Sequence, residues 1–199
     1  RRRGRGRAAT GVTLPAWQPG TRVQGPVYLD ANVWVSALVR SQPQYARASR
    51  LLADLVSNSI PLIVTDLVGS ESQWALAKLA YADLLHQRPD RIRWHKQAWK
   101  ANSPRLFATQ GAVIGAFNAF IASLHNNGYP VSAPSPVPAT FMQSLAETFA
   151  YMRSFGLTPA DAAHLALAHA HAATFITGDG DYHVVAGPNQ PPGLTVLKI

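Results

Sequence analysis

The stretch VYLDANVWVSAL, residues 27–38, opens as a β-prone run from Val27 to Leu29 and turns helix-compatible just past Asp30. That reads as a strand delivering a carboxylate to the start of a helix. Two further apolar runs, IPLIV at 60–64 and TFIT at 174–177, have the same character. Each is too apolar to face water, and amphipathic helical segments separate them, so the pattern predicts a parallel sheet covered on both faces, a three-layer α/β/α fold.

Between these strands, Tyr45, Ala48, Leu51, Leu52, Leu55 and Val56 recur at spacings of three and four, which predicts a helix over 44–58. Asp66 is placed to cap the next helix, which carries Leu67, Val68, Trp74, Ala75, Leu79 and Leu84 and ends before Pro89. Residues 86–128 read as helical, with 112–124 as a buried helix too short to cross a bilayer, which needs about 20 residues. GYPVSAPSPVP at 128–138 reads as a loop. Beyond it, Phe141, Met142, Leu145, Phe149 and Met152 mark an apolar helical face, and Thr158-Pro159 opens a last helix with a hydroxyl cap and a proline in its first turn.

Composition narrows the function classes. The chain of 199 residues has no cysteine, which removes thiolate metal sites, thiol nucleophiles and disulfides, and makes a reducing cytoplasm the expected location. The net charge of +8 is concentrated in two places. Arg1, Arg2, Arg3, Arg5 and Arg7 lie in an arm expected to be disordered over 1–24, ahead of a domain spanning 25–199 with an insertion at about 86–138. Within that insertion Arg88, Arg91, Arg93, Lys96, Lys100 and Arg105 face only Asp90, a balance suited to a polyanionic partner. Trp94 and Trp99 interleave with these charges; Ile92, Trp99 and Leu106 at seven-residue spacing read as a buried stripe. Arg91, Arg93, Lys96 and Lys100 are left as candidate contacts to phosphate.

The acidic residues are few and well placed. Asp30 ends the first strand, and Asp179 and Asp181 follow TFIT, at the sheet edge where sites form in open α/β folds. Glu71 and Asp161 fall in the first turns of their helices. Asp30 also suits a helix cap, Asp161 a capping box with Thr158, Glu71 a solvated face and GDGD at 178–181 an ordinary turn. Their joint gathering needs a cation to offset repulsion, and hard oxygen ligands without cysteine point to Mg2+ or Mn2+. His164, three residues after Asp161, reads as a packed or outer histidine rather than a ligand.

At these residues the chain resembles the PIN-domain nuclease family. VYLDANVWVSAL is similar to its opening strand and first acid, SESQWAL supplies a Glu, and LTPADAAHLALAHAHAATFITGDGDY supplies two further acids with a "TGD" signature. The resemblance covers about 27–85 and 139–199, with a longer middle than compact toxin-type members have. It implies a metal-dependent ribonuclease in which Asp30, Glu71, Asp161 and Asp179 are the catalytic and metal-binding acids and Asp181 an outer one. Asn32 and Thr177 would orient the carboxylates. It further implies an RNA substrate, an antitoxin partner and a homodimer. An RNA-processing nuclease and a non-catalytic RNA-binding protein of the same fold are the alternatives. A phosphatase of the haloacid dehalogenase type is disfavoured by Asn32, where that chemistry needs a second Asp, and no phosphate loop ending in Lys-Ser/Thr occurs.

Overall fold

Strand β1, Val27–Leu29, lies at the centre of a five-stranded sheet, and its three residues are buried. The structure, a computed structural model of the chain, describes residues 13–92, 96–134 and 138–199; Arg93, Trp94 and residues 1–12 of the arm lie outside the described residues. From β1 the chain forms α1 (Ala31–Leu38) and α2 (Tyr45–Ser57), then β2 (Leu62–Ile63) and α3 (Asp66–Leu84). There follow α4 (Lys96–Ile114), α5 (Ala116–Asn126), β3 (Val131–Ser132), α6 (Pro138–Phe155), α7 (Pro159–His171), β4 (Thr174–Thr177) and β5 (Thr195–Lys198). The strand order is β3-β2-β1-β4-β5 and every pairing is parallel.

This is the α/β architecture expected, with helices flanking an all-parallel sheet. Val27, Tyr28, Leu62, Phe175, Ile176 and Val196 are inaccessible to solvent or nearly so. Burial on both faces is what lets these strands dispense with polar alternation. Because β2 lies on one side of β1 and β4 on the other, strand order reverses at β1. The carboxyl ends of β1 and β4 therefore open on a crevice, the usual place for a site in such a sheet.

Two strands were not legible. Within the segment expected to be a loop, Val131–Ser132 pairs with β2, Leu62 donating to the Pro130 carbonyl and Val64 to that of Ser132. β5 pairs with β4 along its length. The arm also ends sooner than expected: over 13–24, Leu14 and Trp17 are buried, Lys198 donates to the Pro15 carbonyl and Trp17 to that of Lys198. The disordered arm of 1–24 is thus corrected in its described part, where Pro15 to Trp17 are bonded to the end of β5.

Helix α3 starts from a Thr65 cap, whose hydroxyl accepts from the Val68 N–H, so Asp66 is the first helical residue rather than the cap. A second apolar cluster, Ala77, Ala80, Tyr81, Ala82, Ile92, Leu106 and Ile114 with Trp99 partly buried against it, joins α3 to α4. The stripe of Ile92, Trp99 and Leu106 therefore faces protein. The expectation of a buried helix over 112–124 does not hold: Gly115 separates α4 from α5, and in this run Ile114, Phe117 and Leu124 are buried while Val113 is exposed. Lys96–Asn126 as a whole has the length and composition of a membrane span, but it is two helices, with Pro104 inside the first. On α6 the apolar face read from sequence is partly wrong as well. Met142, Leu145 and Phe149 are exposed, and Tyr151, Met152 and Phe155 make the packing.

Candidate active site

Asp30 leaves the end of β1 in extended backbone and sits at the cap position of α1, yet its carboxylate makes no cap bond. It turns instead toward β4. Its Oδ2 accepts from the Thr177 hydroxyl at 2.7 Å and from Asn32 Nδ2 at 2.8 Å. Asn32 Oδ1 in turn accepts from the Gly178 N–H at 2.8 Å, and the Thr177 hydroxyl accepts from the Asp179 N–H at 2.9 Å. A side chain at residue 178 would meet Asn32 Oδ1 at 3.1 Å, so glycine there allows the close approach. These bonds tie the carboxyl ends of β1 and β4 together.

Burial pushes the Asp30 carboxyl above its ordinary range, and the nearby His164 and the Thr177 hydroxyl pull against that effect. Glu71, in the second turn of α3, is less buried. Its Oε2 lies 2.7 Å from His164 Nε2, and that hydrogen bond holds its carboxyl below the ordinary range. An ionised carboxylate only accepts, so His164 Nε2 must carry the proton and donate it. The other ring nitrogen, Nδ1, lies 2.8 Å from the Tyr28 hydroxyl, which is 3.1 Å from the Thr65 hydroxyl. Burial raises the Tyr28 pKa, so it serves as a neutral hydroxyl. A buried chain thus runs from the cap of α3 through β1 and α7 to Glu71.

Asp30, Glu71 and His164 each offer a ligand atom within 4.8 Å of the others, with His164 Nε2 4.0 Å from Asp30 Oδ1. Asp161 stands one turn before His164 on α7. Its Oδ2 accepts from the Thr158 hydroxyl at 2.6 Å, and the same hydroxyl accepts from the Asp161 N–H at 3.3 Å. Thr158 thus caps α7 as read from the sequence, while the Asp161 carboxylate bonds the Thr158 hydroxyl where a full capping box would bond its N–H.

Asp30, Glu71, His164, Asp161 and Asp179 all line one cleft of about 650 Å³, with Asn32 beside them. Asp181 is exposed and outside that lining; its backbone N–H donates to Asp179 Oδ1 at 2.9 Å. Arg91, Lys96 and Lys100 are exposed and also outside the lining, although Pro89 at the start of their segment reaches the rim. Sequence reasoning passed over Trp74 and Lys78, which line the cleft from α3. Their spacing of three and seven from Glu71 was the available signal.

Comparison with known proteins adds little to this geometry. No protein-family model matches the chain, and no curated protein does. Among solved structures the fold is similar to the crystal structure of FitAcB from Neisseria gonorrhoeae, with 20% sequence identity and a TM-score of 0.41 over 86% of this chain and 96% of that one. A likeness that loose assigns neither a family nor an activity.

Proposed function

We propose that the protein is a metal-dependent nuclease of the PIN type that hydrolyses phosphodiester bonds in RNA. The observation that carries the proposal is the meeting of Asp30, Glu71, Asp161 and Asp179, from four separate stretches of chain, in one cleft at the strand reversal. Burying Asp30 close to other carboxylates costs stability unless a cation offsets it. The donor set fits Mg2+ or Mn2+, being mainly hard carboxylate oxygen with no sulfur. Asp30 keeps Oδ1 clear of the Asn32 and Thr177 bonds, which fix the carboxylate through Oδ2. His164 holds Glu71 and is committed to it through Nε2, so its role is to orient. When bound, the metal supplies activation of water and neutralises charge on the phosphodiester.

RNA as the substrate is favoured by the motif resemblance and the basic segment that begins at the cleft rim. A toxin-type role with an antitoxin partner, and pairing with a second copy, rest on the resemblance alone. In this reading Asp181 takes an outer position.

The decisive experiment incubates wild type and Asp30→Asn with labelled structured and unstructured RNA in Mg2+, Mn2+ or EDTA, alongside calorimetric titration of Mn2+ without RNA. Metal-dependent cleavage lost in the variant, with weakened Mn2+ binding, supports the proposal. Cleavage retained by Asp30→Asn, or undiminished in EDTA, overturns it. If wild type binds RNA and cuts none of it under either metal, the non-catalytic reading replaces it.

A further inference from the structure

Trp17 and Trp34 are buried, to 1% and 0% exposure, whereas Trp74 is 44% exposed and lines the acidic cleft. Its position is fixed from behind. The Trp99 ring meets it edge-on at 5.3 Å between centroids, and Trp99 is in turn flanked by Tyr81 at 6.0 Å and Phe107 at 6.5 Å. Trp74 thus stands on the aromatic side chains that join α3 to α4 while presenting surface to the cleft.

Lys78, one turn further along α3, places its Nζ 6.0 Å from the Trp74 ring centroid and lines the same cleft. It also helps to hold Glu71 ionised. Glu71, Trp74 and Lys78 therefore set an acid, an aromatic ring and a cation along one helical face.

We infer that Trp74 and Lys78 form a substrate subsite in which an unpaired nucleobase stacks on the Trp74 ring while Lys78 contacts a neighbouring phosphate. The inference rests on the nuclease reading for the identity of the ligand, and it assigns Trp74 and Lys78 the contacts to one unpaired base and its neighbouring phosphate. A ring and an adjacent cation are the elements that grip single strands without reading sequence. In a duplex the base faces are already covered by their neighbours, so Trp74 would have nothing to stack.

The test measures fluorescence anisotropy of a fluorescein-labelled unpaired RNA, and of the same strand annealed to its complement. The full chain is used in Mg2+ in an Asp30→Asn background that keeps the RNA intact. Trp74→Leu retains apolar bulk and removes the flat ring. It is expected to weaken single-strand binding about 10-fold and duplex binding less than about twofold, while Trp74→Phe recovers most of the loss. Melting temperatures equal to the parent's keep a folding defect apart from a lost contact. Lys78→Ala is expected to weaken both ligands and to lower the slope of binding against salt by about one counterion. Single-strand affinity unchanged in Trp74→Leu, or lost equally for duplex, overturns the inference. Failure of the nuclease reading looks different: wild type cuts nothing in either metal, yet the Trp74 series keeps its single-strand preference, which leaves the subsite standing.

Discussion

At Asp30, burial and charge oppose each other, and pH separates them. Its folded-state pKa is raised, so the folded protein binds a proton here more readily than the unfolded chain does. The stability this contributes is present below the ordinary carboxyl pKa of about 3.9 and is lost as pH rises through the folded value. Asp30→Asn removes the charge and retains an acceptor for Thr177. In EDTA it should therefore melt above wild type at neutral pH, with the gap closing toward pH of about 4; calorimetry across pH checks this, and a gap that grows on acidification contradicts it. Mn2+ should raise the wild-type melting temperature more than the variant's. Glu71 has the opposite sign: its lowered pKa stabilises above the unfolded value, and that contribution is lost as pH falls through the folded one.

His164→Ala takes away the donor that lowers the Glu71 pKa and leaves the Tyr28 hydroxyl short of a partner. We expect a stability loss of about 2–4 kcal/mol and an acid limb of the cleavage profile displaced to higher pH; a limb that stays in place would sever Glu71 from catalysis. Asp30 and Asp179 were legible because a strand end fixes where they point. Tyr28 was not, because a tyrosine in an apolar strand reads as core, and its partner His164 lies 136 residues away in sequence.

At the scale of the element, Thr158 does two things with one hydroxyl, capping α7 and donating to the Asp161 carboxylate. Thr158→Ala should cost about 1 kcal/mol, or about 2–4 °C in Tm for a chain of this size. Cleavage should fall by about tenfold or more, because Asp161 loses the bond that holds it. Thr158→Ser should restore both, and recovery of stability without activity would show that Asp161 is not positioned from there. The cap was readable, since Thr-Pro before an apolar helix is a local signal. β3 and β5 were not, because Val131–Ser132 is two residues long and Thr195–Lys198 is a four-residue run with a partly exposed residue at each end.

Across the whole molecule, periodicity reported where apolar faces lie but not what covers them. Leu165 on α7 is fully buried, whereas Phe149 on α6 is 68% exposed. Leu165→Ala should therefore cost about 2–5 kcal/mol, while Phe149→Ser should stay within about 0.5 kcal/mol in the monomer. Denaturant midpoints decide between these, and a large loss at Phe149 would reveal a contact that the isolated chain does not make. The basic insertion was legible as charge, yet the aromatic side chains beneath it came from α3 and α4 together, which no local pattern links.

Pro15 and Trp17 bond to Lys198, the last residue of β5, while the opposite margin of the sheet is the two-residue β3. An unpaired strand edge is a template on which another molecule can add its own strand. Here one margin is covered by the chain's own early residues and the other is too short to seed a ladder. Loss of the covering residues would leave the Lys198 end of β5 open to a strand from another molecule, on this margin of the sheet alone.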